Sequence, residues 1–81
     1  MARSDIVAKL AELITEVSDL EPGTVAAAGL LRSYDLDSVR VIDLVVAIEE
    51  AFDVTVRNED LGALKTVADL ADYVERRQAA R

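Results

Sequence analysis

Between Ser38 and Phe52 the chain runs fifteen residues without a glycine or proline, and its apolar side chains recur at helical spacing. Val41, Leu44, Val45, Ile48 and Phe52 fall on one stripe. The β-branched content would also tolerate a strand, but the length of the run and the spacing decide for a helix. Val39, Ile42 and Val46 make a second stripe at i, i+3 and i+7, displaced from the first. A surface helix in a small bundle needs only one apolar face. A second stripe therefore belongs either to a deeply buried central helix or to an exposed contact strip for a partner. The pattern by itself leaves both open.

The other elements arrange themselves around this helix. Ile6, Leu10, Leu13, Ile14 and Val17 form one face of an amphipathic helix over residues 5–17, with Ser4 placed to act as its N-cap. From 18 to 37 the periodicity fails. Pro22 and Gly23 mark a turn, while Val25, Leu30 and Leu31 can tack the segment onto a core, with room for a short helical turn. Connections of this length in a compact domain are usually functional or mobile. Residues 59–64 suit a turn or two of helix. Thr66 then reads as an N-cap with Asp69 three residues on, and Val67, Leu70, Ala71 and Val74 carry a last helix to about Arg77. Arg76 and Arg77 close it where the helix dipole favours cations. The expected fold is all-α: a single domain over residues 1–81, with three main helices, one short one and a long first loop.

Composition narrows the chemistry. The chain has 81 residues with no cysteine and no histidine, which removes disulfides, thiolate zinc sites, thiol nucleophiles and the imidazole base. A chain of this size buries only about 60–65% of its unfolded surface, leaving little room for a closed catalytic pocket. No catalytic residue and no metal site is expected. A calcium loop at Asp35 and Asp37 fails because Val39 and Arg40 stand where an oxygen ligand and a glycine are needed. No leader or membrane-spanning run is visible, so a cytoplasmic protein is expected. The net charge is −7, and residues 35–60 hold eight acids against Arg40 and Arg57. Nucleic acid and anionic membranes are therefore poor partners, and proteins with basic patches are good ones.

One position could carry chemistry. Ser38, preceded by Asp37, lies at the junction of the long loop and the central helix. A helix N-terminus offers backbone N–H groups and the positive end of the dipole, which suit a phosphate. Serine also fills such positions simply as a cap, and a single serine cannot separate the two roles.

The surrounding residues can. Tyr34-Asp35-Leu36-Asp37-Ser38-Val39, then Ile42-Asp43-Leu44-Val45 and Glu49-Glu50-Ala51-Phe52, resemble the acyl carrier proteins. The resemblance continues through Val54-Thr55-Val56, Glu59-Asp60, Thr66-Val67-Ala68-Asp69 and Tyr73-Val74, without a gap after Leu30. It implies a 4′-phosphopantetheine arm, taken from coenzyme A by a phosphopantetheinyl transferase and fixed to Ser38. The thiol of that arm would hold acyl intermediates of fatty acid or polyketide-type synthesis as thioesters, which accounts for a carrier without cysteine. Asp37 matches the acid associated with Mg²⁺ and coenzyme A during loading. Val39, Ile42 and Val46 match apolar partner contacts, and Asp43, Glu49 and Glu50 match acidic ones. These would steer a monomeric carrier to the basic patches of acyl-loading and acyl-processing enzymes such as a ligase, a ketosynthase or an acyltransferase. Leu44, Ile48, Phe52, Val56, Leu61 and Leu64 would line the core or a small acyl pocket.

Three departures bear on partner choice. Arg40 stands where an acid is frequent, Asp35 replaces the usual loop glycine, and Val39 replaces the usual leucine. They point to a discrete carrier of a specialised pathway. Two other readings compete. An aminoacyl or peptidyl carrier would share the fold, although its usual Gly-Gly-x-Ser signature is absent. An unmodified helical interaction module would use the Val39, Ile42 and Val46 strip without any arm.

Overall fold

A computed structural model of the chain describes residues 2–21, 23–34, 36 and 38–80, with Ser38 described in its backbone only. Four helices follow one another: α1 (Arg3–Ser18), α2 (Ser38–Phe52), α3 (Asn58–Leu61) and α4 (Val67–Ala79). The long connection after α1 contains one 3₁₀ turn, Leu31–Tyr34. Among the described residues there is no strand beyond a single antiparallel bridge between Leu30 and Thr66.

α1 packs against both α2 and α4. Ile6, Leu10 and Ile14 on α1 and Val67 and Val74 on α4 are fully buried, with Ile48 of α2 against the same core. Each such aliphatic side chain contributes about 1.5–3 kcal/mol by leaving water.

α1 starts two residues earlier than its apolar pattern indicates. Ala2 is the N-cap, its carbonyl accepting from the Asp5 and Ile6 N–H groups, and no side chain caps this end. Ser4 therefore lies inside the helix and caps nothing, a correction to the expectation from sequence. The cause is tertiary. Arg3 reaches across to α4, donating to the Ala68 carbonyl at 3.0 Å and pairing with Asp72 and Glu75, which anchors the two added residues.

The N-terminus of α4 shows why the long loop takes its path. A helix begins with four N–H groups that have no partner within it. Here Val67 donates to the Gly29 carbonyl and Ala68 to the Ala27 carbonyl, both in the loop. Asp69 donates to Thr66 Oγ1, and Leu70 to the Thr66 carbonyl. The Asp69 carboxylate returns the favour by accepting from the Lys65 and Thr66 N–H groups. Those two backbone hydrogen bonds, Lys65 first, hold its pKa below the ordinary carboxylate value. The capping box expected at Thr66 and Asp69 is present, and the loop completes it.

Gly29 makes that docking possible. A Cβ at this position would lie 1.6 Å from the Tyr34 hydroxyl oxygen, which itself accepts from the Ala26 N–H. Tyr34 is buried, so the loop folds around its ring.

Candidate functional site

α2 begins at Ser38, the residue singled out in the sequence. Its fifteen residues divide into the two stripes foreseen. Leu44, Ile48 and Phe52 are buried, while Val41 and Val45 are half-buried. On the second stripe Val39 is 67%, Ile42 63% and Val46 48% exposed. These values decide against a deeply buried central helix, because a core position at this size would be nearly closed to solvent. Asp43 and Glu50 are exposed as well. At i, i+3, i+4, i+7 and i+11, residues 39, 42, 43, 46 and 50 share one face of α2, with apolar groups flanked by carboxylates.

Glu49 is placed differently. It is half-buried, and its Oε2 accepts from the Val56 N–H at 2.9 Å. One carboxylate oxygen is thus committed to holding the link between α2 and α3. Arg40 also leaves the acidic face. Its Nη1 lies 3.5 Å from the Ser18 carbonyl oxygen, at the C-terminal end of α1, where the helix dipole attracts a cation. Asp35 and Asp37 lie outside the described residues.

Beneath α2 is a cavity of about 220 Å³. Leu44, Ile48, Val56, Leu61 and Leu64, five of the six residues assigned to the pocket or core, line it. Phe52 does not; it is 3% exposed within the packed core. The remaining lining is Leu31, Arg32 and Leu36 from the loop, Val41 and Val45 from α2, and Leu70 from α4. Leu31, Val41, Val45 and Leu70 were legible as core-facing positions though not as pocket lining. Arg32 and Leu36 left no such signal.

The wall formed by α3 is short and held at its ends. Tyr73 donates its hydroxyl hydrogen to Asp60 Oδ2 at 2.7 Å and accepts from the Arg57 N–H at 3.2 Å. Burial, offset in part by the Arg57 N–H, raises the pKa of this phenol above its ordinary value. Arg57 also pairs with Glu59. Among the described residues no group of histidine, cysteine or carboxylate side chains could hold a metal ion. Among the described residues no helix is long and apolar enough to cross a membrane.

The fit of a phosphodiester to this site rests on the backbone. Ser38 is the first residue of a long helix, at the end where free N–H groups and the dipole favour an anion. A long helix starting at a serine, with an exposed apolar and acidic face and a hydrophobic cavity beneath it, suits a small helical carrier domain. The family described as phosphopantetheine attachment site matches residues 8–74. An acyl carrier protein of Rhodococcus erythropolis is 31% identical, over 95% of this chain and 86% of its own length. One from Kocuria rhizophila is 35% identical, over 96% and 98%. The meromycolate extension acyl carrier protein of Mycolicibacterium smegmatis is 33% identical, over 91% and 76%. Among solved structures, the acyl carrier protein of Thermotoga maritima superposes with a TM-score of 0.81 at 28% identity, covering 96% of this chain and 92% of that one. The chain therefore belongs to the acyl carrier proteins, phosphopantetheine-bearing carriers that are not themselves enzymes.

Proposed function

We propose that Ser38 carries the 4′-phosphopantetheine arm and that the whole chain is one discrete carrier domain. The observation that carries this reading is the start of α2 at Ser38 beneath a face on which Val39, Ile42 and Val46 stand open to solvent. The arm supplies a thiol that holds an acyl group as a thioester; the protein's own residues position, present and shelter that group. Asp37 assists loading, as the acid beside the attachment serine. Val39, Ile42 and Val46 seat partner enzymes, and the exposed Asp43 and Glu50 orient them through basic patches, acting on encounter more than on affinity. Glu49 serves this face with only part of its carboxylate, the rest being engaged by Val56.

The partners are a phosphopantetheinyl transferase and acyl-loading and acyl-processing enzymes. The cavity under α2 receives the acyl chain, with Leu44, Ile48, Val56, Leu61 and Leu64 as its walls and Phe52 as core support. The likeness to meromycolate extension carriers favours synthesis of specialised lipids in the cytoplasm over peptide assembly.

Intact mass after incubation with coenzyme A, Mg²⁺ and a promiscuous phosphopantetheinyl transferase tests the assignment. A gain of one arm is expected, absent in Ser38→Ala. A folded protein that gains nothing, or an alanine variant that still gains it, contradicts the reading. Ile42→Asp is expected to keep the circular dichroism spectrum while slowing loading, because it places a charge in the seat of the transferase.

A further inference from the structure

Arg32 does not fit a carrier of plain alkyl chains. It lines the apolar cavity, and it also lines an adjoining hollow of about 270 Å³ that includes Leu30, Leu64 and Lys65. Both cationic residues are exposed. Arg32 makes no ion pair with a described residue, while Lys65 has the Asp69 carboxylate within electrostatic reach. In a chain of net charge −7, Arg32 is the one charged residue lining the apolar cavity, and Lys65 joins it in the adjoining hollow. An apolar cavity that opens onto a guanidinium suits a ligand with an apolar body and an anionic end, since arginine presents a fork of donors matched to a carboxylate.

We propose that Arg32, supported by Lys65, is a specificity-determining residue for acyl cargo bearing a carboxylate away from the thioester. This inference rests on the carrier reading of Ser38 and deepens it by naming the cargo class. A methylene is comparable in size to a water molecule, about 30 Å³ in the liquid, so the cavity accommodates on the order of seven chain carbons before the rim. The other anion near a carrier is the phosphodiester of the arm itself. That group belongs at the start of α2, whereas the cationic hollow lies at the link between α3 and α4, where the Leu31 N–H bonds to the Lys65 carbonyl.

The test loads Ser38 with two hydrolysis-resistant amide analogues of the acylated arm, octanoyl and its ω-carboxy counterpart, alongside the bare arm. Mass confirms loading before any other readout. The ω-carboxy form is expected to melt roughly 2–5 °C above the octanoyl form, the range of one solvent-accessible ion pair in a domain of this size. Arg32→Gln should abolish that increment and Lys65→Gln reduce it, the increment being taken between the two loaded forms of the same variant. The amide resonances of Leu31, Leu64 and Lys65 should move only with the carboxylate, and 0.5 M salt should suppress the increment. Equal melting of the two loaded forms, or an increment that survives Arg32→Gln, overturns the inference. An increment of the bare arm over unloaded protein that depends on Arg32 also overturns it and assigns the hollow to the phosphodiester. Absence of the mass gain is a separate failure, of the carrier assignment at Ser38, and is read from mass alone.

Discussion

The two sides of this domain are built differently. Where α1 meets α4, Ile6, Leu10, Ile14, Val67 and Val74 are closed to solvent, Arg3 ties the two helices together, and every N–H of the first turn of α4 has a partner. Where α2 meets α3 and the loop, Val41, Val45, Leu61 and Leu64 are only half-buried, a cavity lies between them, and α3 is a four-residue helix held by the Tyr73 hydroxyl. Well-packed interiors resist volume change, and regions with few buried contacts open at low cost. One side therefore holds the fold, and the other can yield to cargo without unfolding it.

Truncating a side chain on each side should separate them most widely. Ile14→Ala is expected to cost about 2–5 kcal/mol in urea unfolding, as for a full cavity in a packed core. Leu64→Ala, which only enlarges an existing hollow, should cost less than about 2 kcal/mol. Equal losses would break the contrast.

A smaller effect is expected where the loop joins the packed side. Gly29→Ala drives a Cβ into the Tyr34 hydroxyl and should cost about 1–3 kcal/mol, the usual range for overpacking. Gly29→Ala combined with Tyr34→Phe should recover only part of that loss, because the oxygen is gone but the ring carbon 2.6 Å from the added Cβ remains and the Ala26 N–H loses its acceptor.

Smaller still is the cap. Thr66→Ala should cost about 0.5–2 kcal/mol, while Asp69, the other half of the box, governs how stability responds to acid. The Asp69 pKa is lowered on folding by the Lys65 and Thr66 N–H groups. Its contribution is therefore present above the unfolded carboxylate value, near 3.9, and is lost as pH falls through the folded value. Asp69→Asn should flatten that part of the profile below about pH 4 and leave the plateau near neutrality little steeper or shallower than before. Thermal melts from pH 2 to 7 read the difference.

How far these features could be read from the sequence follows their physics. α2 was legible to its ends, because fifteen residues of unbroken helical spacing outweigh its β-branched content. The capping box at Thr66 and Asp69 was legible for the same reason: its chemistry is local. Ser38 was legible as the start of α2, its role as attachment site resting on the proposal above, and its exposed neighbours Val39, Ile42 and Val46 were legible as a stripe but not as a surface. That last step needed to know which face α1 covers. The start of α1 was misjudged because Arg3 acts through α4, more than sixty residues away. The orientations of Arg40 and Glu49 were hidden for a like reason, since α1 and the link before α3 claim them. The path of the loop depends on the Gly29 and Tyr34 contact and on carbonyls offered to α4, none of which leaves a periodic trace.

Hydrogen exchange on the protein before and after loading Ser38 with an octanoyl arm tests the division most directly. Slower exchange is predicted in α3 and along the cavity side of α2, with α1 and α4 unchanged. Slowing spread evenly over α1 and α4, or none in α3, would contradict the claim that cargo is held by the yielding side alone.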